Sequence, residues 1–534
     1  MSAPRGRRLV AFLSVLLVAG SADAQRPAPS AEDETVGSGV LERQREAYES
    51  FQRRQQQRKQ AFQADRKADY EAFTRRMRAQ YQAYVGIIEE VESTERDRLA
   101  ERWGDAELSS QKVWVEYSED LSERSRVDFE AGTLTIESFD PALVGGDPDA
   151  LRDRVRSIVL RNRSEAFAAD RIASEVERRS RREIEELETA EVGTEPVLWP
   201  YLTGESEITP GEVDVVVDFL VARAQMDETR VRGERLQQVE IPLDTKTLLA
   251  QLEKLQSGGY AATMPGMDAV PDGVPLPKGL RPESRGADES SPSPTPTPTP
   301  APEAAPESPE ARRTPPPEPK PALPPDPRPS PRSAPRPPAE PPVLATPERS
   351  RRRSGSSLPT RAQPYLDPVE RHGGARRLER SLVFSIIETE SAFNPLARSP
   401  VPAFGLMQIV PRSAGQDASA VKFGKPRILA PSYLYHAENN IEMGTIYLDI
   451  LFNRYLKGIR NERSRLYCVI AAYNTGAGNV FRAFTGKTRS KAAYQRINSM
   501  TPDQVYRHLI WNLPYKETRQ YLAKVVDRMD RYRR

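Results

Sequence analysis

Residues Ser381–Gly415 read SLVFSIIETESAFNPLARSPVPAFGLMQIVPRSAG, and the first third of that stretch decides the fold around it. Val383, Ile386 and Ile387 precede Glu390 by seven, four and three residues, which sets all four side chains on one helical face. Three of them are apolar, so the spacing predicts a buried stripe that ends in a carboxylate. Glu388 projects from the opposite side and reads as an ordinary surface charge. Asn394-Pro395 marks the end of the helix, because proline disfavours helical geometry in the residue before it. A carboxyl group at the end of an apolar stripe loses hydration, which raises its pKa above the ~4.3 of a free glutamate. Such a group keeps a proton near neutral pH, as a general acid must. A structural glutamate, bonded to backbone or paired with an arginine, fits the helix equally well. The helix alone does not choose.

Outward from this stretch the chain is uneven. At 534 residues it is too long for one compact core, so two or more domains are expected. Arg5, Arg7 and Arg8 precede an apolar run, Leu9–Val18, and then Ala22-Asp23-Ala24. This pattern is a secretory signal peptide over residues 1–24 with cleavage before Gln25, and the run is too short for a mature membrane anchor. Residues 25–257 are expected to hold a helical segment and then an α+β domain. Tyr70, Phe73, Met77, Tyr81, Tyr84 and Ile88 recur at three- and four-residue steps, an amphipathic stripe that must dock on something. Val113–Tyr117 alternates as a strand, Arg126–Glu137 reads as a hairpin turning at Gly132, Leu151–Leu187 is mostly helical, and Val231–Ile241 offers one more strand. No catalytic constellation is visible there, and a positioning or interaction module is the reading.

Residues 258–360 carry most of the 49 prolines, including Pro294-Thr295-Pro296-Thr297-Pro298. That composition is a disordered linker biased to polyproline II. A semi-rigid tether that lets one domain search while the other stays put, and an insertion with no selected length, both fit; an SH3-type docking site ranks below either. From Arg361 onward there are 28 Lys and Arg against 14 Asp and Glu, a net +14, whereas the preceding residues carry 50 against 62, a net −12. A basic carboxyl-terminal domain, 361–534, suits an anionic polymer. Nucleic acid would suit the charge too, but no recognition motif for it is present, and it is not expected as a partner.

Chemistry that needs other residue types is not indicated. His372, His436 and His508 lie far apart without metal-ligand spacing, no G-x-S-x-G elbow occurs, and Cys468 is the single cysteine, so neither a metal, a cofactor nor a nucleophilic triad is expected.

The carboxyl-terminal domain resembles the lysozyme-like catalytic domain of the lytic murein transglycosylases. The matching pieces are Glu390-Ser391 with Ala392-Phe393-Asn394-Pro395, then Gly405-Leu406-Met407-Gln408, then Ala472-Tyr473-Asn474 with Gly476 and Gly478, in the family's order. Within the family it is most similar to the membrane-bound lytic murein transglycosylase C branch. That similarity runs through Asn440-Ile441-Glu442-Met443-Gly444, Met500-Thr501-Pro502 and Glu517–Leu522, and more locally through Trp114–Phe139. The resemblance implies a mainly α protein. A lysozyme-like helical catalytic domain would be preceded by an α+β amino-terminal domain and a long disordered Pro-rich linker.

It also implies a reaction. Peptidoglycan glycan strands would be cut at the β-1,4 bond between N-acetylmuramic acid and N-acetylglucosamine, leaving 1,6-anhydromuramoyl ends. Glycosidases usually use two carboxylates, and no second acid stands out here, although Asp417 and Glu442 are candidates. In the resemblance Glu390 alone acts as acid and then base. Gly405, Met407 and Gln408 would face it across the sugar groove, Tyr473 and Asn474 would line the far wall, Ser399 would hydrogen-bond near the carboxyl, and Tyr521 would point toward it. Pro402, Phe404 and Val401 depart from the family's loop pattern. No cysteine follows the expected cleavage site to carry a lipid, as type C enzymes do, so a periplasmic protein with peripheral envelope association and envelope partners is expected. A hydrolytic muramidase on the same fold and a non-catalytic wall-binding scaffold are the alternatives.

Overall fold

A computed structural model describes residues 31–140, 148–256 and 358–533. The expected signal peptide and the linker up to residue 357 lie outside the described residues. The chain divides into two compact units, Met1–Ala79 and Gln80–Arg534. In the first, every described residue belongs to helix Ala31–Trp103, and Tyr48, Phe51, Phe62 and Tyr70 are exposed. In the second unit the last turns of that helix bury Tyr81, Tyr84, Ile88, Val91, Leu99 and Trp103. Of the expected stripe, Tyr70 is exposed, Phe73 is half-buried, and Met77, Tyr81, Tyr84 and Ile88 are buried.

A five-stranded antiparallel sheet follows. Its strands are Val113–Tyr117 (β1), Glu123–Asp128 (β2), Thr133–Ser138 (β3), Gln225–Val231 (β5) and Glu234–Pro242 (β6), in the order β1-β2-β3-β6-β5; β4 is the two-residue Leu187–Glu188. Gly132 turns the β2–β3 hairpin at φ +71°, with Val127 opposite Leu134. The strand expected over Val231–Ile241 is present as β6, and it is the second arm of a hairpin whose first arm, β5, was not expected. Arg232 and Gly233 take φ +50° and +90°, the left-handed pair that a two-residue turn of the right twist requires. Arg-Gly is a weaker turn signal than Asn-Gly, so sequence inspection runs through it. The helical region over Leu151–Leu187 is three helices, Pro148–Leu160, Arg163–Ala169 and Arg171–Glu183. They are punctuated by Asn162 and Asp170, whose side chains accept backbone N–H groups at each new start.

From Thr360 on the chain is almost entirely helical, so the protein is mainly α with its five-stranded sheet confined to the first half. Helix Arg380–Ser391 lies at the centre of the second half, with Leu382, Val383, Phe384, Ile386 and Ile387 all at most 1% exposed. Helix Lys516–Tyr532 lies against it and buries Thr518, Tyr521, Leu522, Val525, Met529 and Tyr532, a stripe at three- and four-residue steps.

The tether reading treats the two folded halves as bodies that move apart, yet both belong to one unit and are stitched together. Ile428–Leu429 (β7) pairs in parallel with β4, Ile428 N–H donating to the Glu186 carbonyl and Ala430 N–H to that of Glu188, each at 2.9 Å. Lys425 pairs with Glu186, Arg427 with Glu188, and Ser432 N–H donates to the buried Glu177 carboxylate at 3.0 Å. Contacts of this kind hold a fixed geometry, because each buried carbonyl and carboxylate would lose its partner on separation.

Candidate functional site

Helix Arg380–Ser391 ends three residues earlier than the Asn394-Pro395 signal suggests. Ala392 and Phe393 sit in the left-handed region at φ +51° and +70°, which costs a residue with a side chain about 1–2 kcal/mol each. The Phe393 ring offsets part of that cost by joining Tyr365 (centroids 6.0 Å apart), Phe384 and Tyr532 in one aromatic cluster. Ser391 fixes the turn from below, its hydroxyl within hydrogen-bond reach of the carbonyls of Ile387 (3.0 Å) and Leu406 (2.9 Å). The helix end is thereby tied to the Gly405–Gln408 turn.

Glu390 occupies the last turn and is 8% exposed. Burial pushes its carboxyl up to about 8. The Tyr521 hydroxyl draws it back down, the Glu517 carboxylate pushes it further up, and the Lys112 ammonium lowers it a little. Tyr521 lies beside the acid but has no partner in regular hydrogen-bond geometry among the described residues. The tyrosine is itself held well above its ordinary pKa by burial and by Glu390, and so is Tyr473. A carboxyl with a pKa near 8 is about nine-tenths protonated at pH 7. It is an acid with a proton to give.

Glu388, read as a surface charge, is buried as well, at 2% exposure. Its carboxylate takes the Arg361 guanidinium at 2.9 Å, Arg531 and the Tyr532 hydroxyl at 2.8 Å, with Arg528 at 3.8 Å. The helix is enclosed on both sides, so one-face periodicity misjudged this side chain.

The remaining expected residues separate into two groups. Tyr473 and Tyr521 converge with Glu390, each electrostatically coupled to it. The Tyr473 hydroxyl donates to the Met407 carbonyl at 2.8 Å, which brings the Gly405–Gln408 turn to the same place. Asn474 is half-buried and accepts from Thr518 at 2.7 Å, tying its helix to helix Lys516–Tyr532. Gly405 takes φ +73°, and a Cβ there would meet the Leu434 carbonyl at 2.2 Å and Asn440 at 2.3 Å, so only glycine fits. Met407 does not present its side chain to a groove: it is fully buried and its sulfur fills the space a Cβ on Gly444 would need. Gln408, at φ +48°, turns its amide inward, donating to the carbonyls of Ala397 (3.1 Å) and Gly405 (3.0 Å). Ser399 donates to the Val401 carbonyl within its own loop rather than to Glu390. Gly476 sits at φ +82°, ψ +149°, a region essentially limited to glycine, where two helices meet. Asp417 is half-buried and accepts from Tyr455 at 2.8 Å, and Glu442 pairs with Lys422, so both candidate second acids are engaged elsewhere. Among the described residues no group of three His, Cys, Asp or Glu is arranged to hold a metal.

Residues 367–496 match the family model for the transglycosylase SLT domain. The sequence is 46% identical over 179 residues to the membrane-bound lytic murein transglycosylase C of Sodalis glossinidius (strain morsitans), covering 33% of this chain and 49% of that one. It is 46% identical over 180 residues, with the same coverage, to the protein of that name from Serratia proteamaculans (strain 568). The chain spans about half the length of the curated relatives it matches. The solved structure of the 70 kDa soluble lytic transglycosylase of Escherichia coli matches at 27% identity over 33% of this chain and 25% of that one, with a TM-score of 0.25.

Three residues shape the surroundings of Glu390 without having been expected to: Asn440 and Glu517 were noted only within the resemblance, and Lys112 not at all. Asn440 is fully buried and holds the turn through three bonds: its carbonyl oxygen accepts Met407 N–H at 2.7 Å, and its amide donates to the carbonyls of Phe404 and Leu434 at 2.8 Å. Glu517 and Lys112 set the field at Glu390 from separate segments. Asn440 shares its helix with Glu438, Asn439, Glu442 and Asp449, so composition did not single it out. Lys112 had no signal, because its position depends on how the amino-terminal segment folds back.

Proposed function

We propose that the protein is a peptidoglycan lytic transglycosylase acting in cell-wall turnover, and that Glu390 is its catalytic acid and base. One observation carries the reading: a desolvated carboxyl with its pKa near 8, between two tyrosines, with no arginine or lysine paired to it. Glu390 donates its proton to the glycosidic oxygen between N-acetylmuramic acid and N-acetylglucosamine as the C1–O bond breaks. The resulting carboxylate takes the proton from the muramoyl C6 hydroxyl, whose oxygen attacks C1 and closes the 1,6-anhydro ring. Water is not consumed. Having the C6 hydroxyl already on the sugar makes the second step intramolecular, the proximity effect that lets one protein carboxyl serve twice. Tyr521 and Tyr473 line the acid, and Gly405, Met407 and Gln408 supply the backbone turn opposite it. Asn474 supports that wall, and Ser399 belongs to the rim loop.

An envelope location fits the signal-peptide reading and the names of the relatives; no helix among the described residues is long and apolar enough to cross a membrane. A glycan-strand substrate fits the net +14 of the carboxyl-terminal domain.

The test is mass spectrometry of sacculi digested by the full-length protein. Anhydromuramoyl ends are expected, and Glu390→Gln should lower their release about a thousandfold, within the range for a lost general acid, with sacculus binding kept. Unchanged release would remove Glu390 from the reaction. Glu517 gives the muramidase alternative a specific form, because it is a second carboxylate coupled to the acid. Reducing muramic acid ends that vanish in Glu517→Gln would favour hydrolysis.

A further inference from the structure

Trp511 is the most exposed of the large hydrophobic side chains, at 78%, while Trp103, Trp114 and Trp199 are at most 4% exposed. It lies on helix Pro502–Asn512 at the edge of a hollow of about 550 Å³ shared with Arg496, Arg507, Gln504 and Asn512. A second hollow of about 600 Å³, which shares Ser499 with the first, is lined by Arg460, Lys491, Asn498 and Tyr494. No aspartate or glutamate lines either hollow. Glu390, Tyr473 and Tyr521 belong to neither, so this face is separate from the candidate active site.

The walls are built rather than loose. Tyr494 donates to the Tyr455 carbonyl at 2.6 Å, Asn498 binds both Arg460 N–H and the Gly458 carbonyl, and the His508 ring stacks on Phe484 at 4.5 Å. The four cations, by contrast, form no ion pair among the described residues. Arg496 and Arg507 thus face one carboxylate-free hollow and Arg460 and Lys491 the other, with Ser499 shared between them.

We infer that this face is a second glycan-binding site, taking an amino-sugar strand with its stem-peptide carboxylates at a distance from the cleavage site. An exposed indole offers a flat apolar platform for a pyranose ring, the amides and hydroxyls of Gln504, Asn512 and Ser499 suit acetamido and hydroxyl groups, and the unpaired cations suit carboxylates. An anionic lipid surface would satisfy the cations alone. It would also call for a contiguous apolar face, whereas Trp511 is ringed by Arg507, His508 and Asn512. The identity of the polymer rests on the peptidoglycan reading above. A strand held here and at Glu390 together gains affinity through effective concentration.

The experiment uses full-length protein carrying Glu390→Gln, so that nothing is turned over, and soluble peptidoglycan fragments that keep their stem peptides. Trp511 is the one tryptophan that acrylamide can reach freely, so quenching reports this site directly. Fragments should lower the quenching constant at least about twofold in a saturable way. Trp511→Phe should abolish that response, and Arg496→Glu with Arg507→Glu should weaken fragment binding about tenfold. Because all three side chains lie at the surface, circular dichroism should be unchanged. Fragments that bind while Trp511 quenching stays constant would overturn the inference, as would no binding at all, or equal protection by anionic phospholipid vesicles. Failure of the peptidoglycan reading appears elsewhere, as no anhydromuramoyl ends from the unmodified protein.

Discussion

Two glutamates on the last turn of one helix, both buried, have opposite surroundings. Glu388 is enclosed by Arg361, Arg528, Arg531 and the Tyr532 hydroxyl, so its charge is compensated several times over. Glu390, two residues on and turned the other way, meets two tyrosines, a second carboxylate and one distant lysine, and its proton stays on. Burial is common to both, so burial alone does not make an acid. What separates them is the number of cations each side of the helix recruits: three arginines on one face, one distant lysine on the other. A carboxylate that loses water must regain its charge stabilisation from the protein or stop being a carboxylate.

The largest expected effect comes from breaking the compensated side. Glu388→Gln leaves three guanidinium groups facing one another with their shared anion removed, and a broken buried ion pair costs about 3–5 kcal/mol. Urea unfolding should show that loss, and an unchanged midpoint would mean that the arginines are solvated well enough to do without it. Glu390→Gln should move stability the other way. Its folded pKa, about 8, lies above its unfolded value, so the native state binds the proton more tightly. The stability this provides is complete below pH ~4.5 and is lost as pH rises toward about 8. At pH 7.5 the neutral glutamine should therefore stabilise the protein by on the order of 3 kcal/mol, and the gain should vanish near pH 4. A pH-independent difference would count against a raised pKa.

The next effect is kinetic. With the protonated acid as the active form, kcat/KM should fall as pH rises through about 8. Tyr521 is the strongest of the influences that lower the Glu390 pKa, so Tyr521→Phe should carry the alkaline limb upward. Glu517→Gln should carry it downward, because Glu517 raises the same pKa. Limbs that move together, or that stay fixed, would separate the profile from Glu390.

Much of this was legible in the sequence, for physical reasons that differ by residue. Helical periodicity placed Glu390 among Val383, Ile386 and Ile387, and tyrosines recognised by resemblance, Tyr473 and Tyr521, do converge with it. Periodicity failed at Glu388 because it assumes a helix with a wet side, and this helix is enclosed by Arg361 from before it and Arg528 and Arg531 from far beyond it. The 405–408 turn was located, but the directions of its side chains were not. Met407 is drawn inward by the space at Gly444, and Gln408 by two carbonyls that need a donor. The contact between the halves had no sequence signal, since β4 and β7 are two residues each and neither is a strand without the other.

The smallest expected effect tests whether the two faces are insulated from each other. Arg528, 3.8 Å from Glu388, also approaches Glu130 at 3.7 Å, and Glu130 pairs with Lys112, which lowers the Glu390 pKa. A chain of alternating charges thus runs from the compensated glutamate to the protonated one, through the amino-terminal half. Its far end is fixed in place: the Ser110 carbonyl accepts Arg398 N–H at 3.3 Å and the Gln111 carbonyl accepts from Asn394 at 3.5 Å. Lys112→Met should move the alkaline limb in the same direction as Tyr521→Phe but less far, because Lys112 is the weaker of the two lowering influences. Glu130→Gln releases Lys112 from its partner and leaves its charge freer to act on Glu390, so the limb should shift slightly downward. If both variants leave the profile unchanged while Tyr521→Phe moves it, the acid's chemistry is set within the carboxyl-terminal half alone, and the amino-terminal half holds that half without tuning it.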